Sequence, residues 1–265
     1  MIWDTHAHLE DSQFSPDRGE TIARATAAGV TTIVNVGSTE ATSQNSVRLA
    51  EEYPFIYAAV GIHPHDVEAC TDKTWETLLR LAQNPKVIAW GEIGLDYFRD
   101  ISPRDDQRKW FIHQLKLANE VGLPVIIHNR DAHGDILQII KNYLPEAGGV
   151  FHSYSGSWEM AKELLAMGFY LSFSGPLTFK NARHAPEVAE KVPEDRFLIE
   201  TDCPYLTPEP YRGKRNEPAY ICEVLAKIAA IRGMEVREAA RLSSENARRL
   251  FRIDQFQCEI GSNLQ

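Results

Sequence analysis

Short apolar runs alternate with longer amphipathic ones along most of this chain. The short runs read as strands at 2–5, 31–36, 55–60, 87–91, 124–127, 149–151, 169–173 and 196–199. Val125-Ile126-Ile127 and Phe197-Leu198-Ile199 are apolar without interruption, as strands covered on both faces are. The amphipathic runs predict helices at 16–28, 41–52, 74–83, 134–143, 158–167, 185–191, 218–232 and 235–252. A further helix opens at Ser102-Pro103-Arg104-Asp105. It turns Phe111, Leu115, Ala118 and Val121 to one side and stops at Gly122 and Pro124. Ser15 reads as an N-cap with Pro16 in the first turn, and Gly29 as the stop of that helix.

Eight strand–helix units in succession predict an α/β fold, a closed (β/α)8 TIM barrel of one domain over residues 1–253. Residues 254–265 read as a loosely held tail. An open doubly wound sheet is the alternative, but no GxGxxG opens the first helix.

Composition changes this picture little. The chain has 265 residues, ample for a core without staples, and a net charge of −9. That charge argues against indiscriminate nucleic-acid binding by the whole surface, while leaving room for a local basic patch. Cys70, Cys203, Cys222 and Cys258 are scattered without a CxxC pair and read as reduced thiols. Met1 leads straight into a strand, and no apolar run reaches membrane-spanning length. The expectation is a cytoplasmic protein with no membrane association and no obligate protein partner.

Polar residues at strand ends carry the candidate chemistry. His6 and His8 share a strand face at i and i+2, the spacing with which one strand can grip a metal, and Asp4 shares their parity. Glu92 closes an apolar run between Gly91 and Gly94, where a carboxylate is costly unless it is paired or bound to metal; an ion pair with Arg130 is the plain alternative. His128 and His152 are the first polar groups after their strands. Asp202 follows the last strand, placed to ligate metal and take a proton from an attacking water, with Glu200 a competitor and a turn aspartate the plain reading. A barrel keeps its active site at this end of its strands. His6, His8, Glu92, His128, His152 and Asp202 thus predict a site for two divalent ions that activate a water. Histidines favour zinc or manganese, and oxygens magnesium. His63, in Gly61-Ile62-His63-Pro64-His65, reads equally as a contact for a substrate oxyanion or as a helix cap. Arg212, Lys214 and Arg215 beside Tyr205 and Tyr211 read as a phosphate- and base-binding loop or as a solvated one. Arg130, Lys180 and Asn181 are further candidates of that kind. Ser153 and Ser155 lack the GxSxG elbow of a serine hydrolase.

Several blocks together resemble the TatD family of metal-dependent deoxyribonucleases. They are Asp4-Thr5-His6-Ala7-His8-Leu9, the His63 segment, Gly91-Glu92-Ile93-Gly94-Leu95-Asp96-Tyr97, His128 with Arg130, and Phe151-His152-Ser153-Tyr154-Ser155-Gly156. Glu200 to Leu206, Arg212 to Pro218 and Asn246-Ala247-Arg248-Arg249-Leu250-Phe251 extend the likeness to about Ile253. The resemblance implies that His6, His8 and Asp202 hold one metal, His128 and His152 the other, and Glu92 both. It implies hydrolysis of DNA, single-stranded or at its ends, from the 3′ side with magnesium, manganese or zinc. Asp202, Glu92 and His63 become the expected catalytic groups, and His63, Arg130, Arg212, Lys214 and Arg215 the expected substrate contacts. An amide, ester or lactone hydrolase built on the same site is the second reading.

Overall fold

The computed structural model describes residues 1–253; the segment expected to be a tail, 254–265, lies outside them. Eight parallel strands pair in chain order: β1 (Ile2–Ala7), β2 (Val30–Val36), β3 (Ile56–Val60), β4 (Val87–Asp96), β5 (Val125–Arg130), β6 (Gly149–Phe151), β7 (Tyr170–Phe173) and β8 (Phe197–Ile199). Helices α1 (Arg18–Ala27), α2 (Glu40–Glu52), α3 (Asp72–Leu81), α4 (Arg104–Val121), α5 (His133–Asn142), α6 (Trp158–Ala166), α7 (Ala185–Lys191) and α8 (Ile221–Arg232) carry the crossovers, and α9 (Val236–Phe251) follows. The seam between last and first strands is stitched just beyond β8. The Asp202 amide donates to His6 O and the His8 amide to Cys203 O, each at 2.8 Å. The expected barrel is the fold observed.

Successive strand residues pack to opposite sides, as the two-residue period requires. Ile33, Ala58, Trp90, Ile127, Leu171 and Ile199 join the helix faces around Phe111, Ile136, Leu164 and Val224. Trp3, Val36, Ala59, Ile126, Val150 and Leu198 form a second set with Ala247, Leu250 and Phe251 of α9. Among the described residues no helix is long and apolar enough to cross a membrane. Cys70, Cys203 and Cys222 are free thiols.

Several boundaries depart from the sequence reading by a few residues, β5 for example running on to Arg130, and two of them have a clear local cause. Ser15 does not cap the first helix. Asp11 caps a single turn of 3-10 helix at Ser12–Phe14 that buries Phe14, and α1 starts only at Arg18. Strand β4 runs five residues past Gly91, where glycine content alone would end it. Glycine is required there because β5 lies so close. A Cβ on Gly91 would meet Ile126 Cβ at 2.6 Å. One on Gly94, at φ +144°, would overlap the His128 carbonyl oxygen. The β4–β5 register shifts between Trp90 and Ile93, so Glu92 sits in a local irregularity, with its amide donating to Gly37 O at 3.0 Å.

Candidate metal centre and active-site cleft

A cleft of about 870 Å³ opens at the carboxyl ends of the strands. At its floor, β1, β4, β5, β6 and the turn after β8 bring together the six residues expected to ligate metal. The Glu92 carboxylate is their midpoint. Its Oε2 lies 3.3 Å from His6 Nε2 and 3.8 Å from His8 Nε2. Its Oε1 lies 2.8 Å from both His128 Nδ1 and His152 Nε2, and 3.5 Å from His63 Nε2. Asp202 Oδ1 stands 3.5 Å from His8 Nε2 and 3.7 Å from His6 Nε2. Glu92 therefore faces histidines, and the alternative ion pair with Arg130 does not form. Asp4 shares no part in this group. Its carboxylate accepts the Thr201 hydroxyl (2.6 Å) and the Thr201 amide (2.9 Å), tying β1 to the turn after β8.

The donor chemistry fits a divalent cation. His8 Nδ1 bonds the Val36 carbonyl oxygen at 2.8 Å, so it carries the proton and Nε2 turns a lone pair inward. His128 Nε2 is 3.1 Å from Asp96 Oδ2, which by the same logic leaves the Nδ1 lone pair facing Glu92 Oε1. His6 Nε2 and His8 Nε2 are 3.1 Å apart, and His128 Nδ1 and His152 Nε2 are 3.2 Å apart. Two lone pairs this close repel, and a proton or a metal ion between them relieves the contact. The donor atoms form three overlapping sets, His6–His8–Glu92, His6–His152–Asp202 and His63–Glu92–His128, each with its ligand atoms within 4.8 Å of one another.

The same field moves protons. Burial pushes Glu92 up, but the histidines facing it, His152 foremost, hold it well below the usual carboxylate range. Asp202 is likewise lowered, because His8, His6 and His152 outweigh its desolvation. Burial opposes charge on His8 and His152, yet Asp202 and Glu10 around His8, and Glu92 and Glu200 around His152, raise both well above the usual value. His63 goes the other way, since burial keeps it neutral. Its Nδ1 accepts the His65 amide at 3.1 Å, which leaves Nε2 as the N–H that faces the cleft floor.

Behind the ligands stand carboxylates that the sequence reading did not place. Asp96 Oδ2 receives His65 Nε2 (2.9 Å) as well as His128, and its Oδ1 accepts the Phe98 and Arg99 amides at 3.0 and 2.8 Å. The signal was present, since Glu92, Gly94 and Asp96 share one strand parity. Glu200 does not compete with Asp202. It lies behind His152, accepting the Ser153 amide at 2.6 Å with one oxygen 3.3 Å from His152 Nδ1. Asp202 and Ser153 take φ of 57° and 43°, left-handed conformations unusual for residues with a Cβ.

The expected substrate contacts separate. Arg130, His63 and Asn181 line the cleft. Arg212 stacks on Phe179, a lining residue, at 3.9 Å, and Lys214 lies 5.7 Å from the Tyr211 ring. Arg215 departs from the expected role. Asp17 receives it through both oxygens at 2.8 Å, and Phe14 lies under its guanidinium, so this cation is neutralised away from the cleft.

The model of the family described as TatD related DNase matches residues 3–252. The metal-dependent hydrolase YabD of Bacillus subtilis (strain 168), itself uncharacterized, is 50% identical over 255 residues, covering 96% of this chain and 100% of that protein. The 3′-5′ ssDNA/RNA exonuclease TatD of Klebsiella pneumoniae (strain 342) is 36% identical over 259 residues, covering 96% of this chain and 98% of that one. Among solved structures, the TatD homologue YJJV of Escherichia coli K12 superposes with a TM-score of 0.91 at 32% identity, covering 96% of this chain and 98% of its own.

Proposed function

This chain belongs to the TatD-related DNase family and is a metal-dependent hydrolase; from that premise we propose that it is a deoxyribonuclease that trims DNA from the 3′ end. The observation that carries the proposal is the convergence of histidine nitrogens and two carboxylates on the floor of a cleft whose walls hold cations. Arg99, Arg130 and Arg183 line that cleft, and none has a carboxylate partner among the described residues. The negative surface at large leaves these cations as the local attraction for a polyanion.

In this reading His6, His8, Glu92, His128, His152 and Asp202 would hold the divalent ions, with His6, His8 and Asp202 toward one and His128 and His152 toward the other. When bound, such ions polarise a phosphoryl oxygen and activate water for attack on phosphorus. The chain supplies the remainder. Asp202 receives the water's proton on its carboxylate, which the facing histidines keep ionised against its burial. His63 offers its Nε2 proton to a phosphoryl oxygen. Arg130 grips a phosphate of the strand, and Arg212 and Lys214 attract it from farther out. Asp96 and Glu200 fix the rings of His128 and His152. The histidine-rich donor set favours zinc or manganese over magnesium.

The test is to measure bound metal by elemental analysis and to follow end-labelled single-stranded and duplex oligonucleotides with added manganese or magnesium. Release of nucleotides from the 3′ end supports the proposal. A metal-loaded protein that leaves every oligonucleotide intact but hydrolyses small esters or lactones would replace it with the second reading.

A further inference from the structure

We propose that Phe98, backed by Arg130, is the seat of an unpaired base, on the His65–His128 side of the reacting phosphate, and so makes the cleft select single strands. The inference rests on the nucleic-acid reading above. Phe98 follows β4 next to Arg99, Ile101 and Arg130, which line the cleft, and is 58% exposed, as Ile101 is. The third strongly exposed apolar side chain of the cleft is Tyr205, 51% exposed, on the opposite rim beside His8. An aromatic ring left largely in water beside a cleft offers a flat face to a ligand.

The segment is nevertheless rigid. Asp96 Oδ1 accepts the amides of Phe98 and Arg99, and the other oxygen of the same carboxylate faces His65 and His128. The platform and the floor of the cleft are thus fixed by one side chain. The Arg130 guanidinium lies over the Phe98 ring, 4.0 Å from its centroid. Stacking holds that fork flat, and no carboxylate among the described residues takes its N–H groups. A flat apolar face next to an unneutralised guanidinium matches a base joined to its phosphate. Inside a duplex both faces of a base are covered by neighbours and at its end the paired strand must be accommodated as well, so an unpaired base reaches the ring more readily. The cleft would therefore discriminate by access to the ring and not by reading base edges.

The experiment compares the metal-loaded wild type with Phe98→Ala and Phe98→Trp. Substrates are a single-stranded oligonucleotide, the same strand with one abasic residue next to the terminal nucleotide, and its duplex. Binding is read by fluorescence anisotropy and turnover by product release. Phe98→Ala should lower kcat/KM and affinity for the intact single strand about tenfold, the usual worth of one stacked base. It should leave the abasic strand and the metal content within twofold, and Phe98→Trp should restore the loss. Equal behaviour of Phe98→Ala and wild type on the intact strand overturns the seat while leaving the nuclease reading in place. Wild-type protein that binds single strands in a Phe98-dependent way without cutting them keeps the seat and removes the nuclease reading. No binding and no cleavage removes both.

Discussion

The floor of the cleft and the outer flank of α1 both gather opposite charges, and they neutralise them by different means. On the flank, Asp17, Arg24, Arg215 and Glu217 partner one another. Arg24 bonds Glu217 at 2.7 Å and Asp17 at 3.1 Å, and Asp17 also holds Arg215. Guanidinium forks meet carboxylates near the surface, these charges satisfied by the chain itself. On the floor, Glu92 and Asp202 are buried without one arginine or lysine between them, and only histidines face them. Burial of charge without a fixed counter-charge is destabilising. The flank is finished by the chain, and the floor is built to be finished by a cation. The same residue types thus serve as a staple in one region and as a socket in the other.

That contrast can be broken from either side. The largest effect belongs to the floor. Asp202→Asn should lower kcat by about 10²–10⁴-fold, the usual worth of a general base, while the melting temperature of the metal-free protein holds or rises because a buried charge is gone. Unchanged turnover would remove Asp202 from the chemistry. Asp96→Asn tests the support of the floor. It should weaken metal affinity by about 10–100-fold, and excess metal should recover much of the activity; a loss that metal does not recover would mean Asp96 acts otherwise.

Asp4 gives a pH signature. Burial is the largest influence on it and lifts it from 3.8 to about 7, despite the bonds from Thr201 and the His6 amide. Its folded value lies above its unfolded one, so its stabilising contribution is complete below about pH 4 and disappears as pH rises through 7. Asp4→Asn removes the titration. Its melting temperature relative to wild type, both metal-free, should climb across that window; a constant difference would show that Asp4 stays ionised. The smallest effect belongs to the flank. Arg215→Met should lower the melting temperature by about 2–4 °C, less in high salt, with turnover within twofold. A large fall in activity would return Arg215 to the substrate.

The order of elements and the six donors at the cleft floor were legible in the sequence because each rests on a local pattern. Strand runs are short and apolar, and His6, His128 and His152 are the polar residues that close them. What was not legible depends on distant neighbours. Arg215 looks like part of a basic loop until Asp17, nearly the whole chain away, takes it. Glu200 and Asp202 are two residues apart and indistinguishable as text, but the turn sends one behind His152 and the other toward His8. The end of β4 was hidden because glycine weakens a strand in isolation, whereas Gly91 and Gly94 here make room for β5.

The seam between β8 and β1 has a consequence for assembly. His6 and His8 are the first donors to emerge from the ribosome and Asp202 the last, and only the closing of the barrel brings them within reach of one another. Two strands almost two hundred residues apart must find each other before the site exists, the kind of long-range pairing that slows folding. An ion held by these three residues would clasp the chain's most distant strands. With the proposed ligands, loading with metal would act as a latch on the closed ring, coupling opening of the seam to release of the ion.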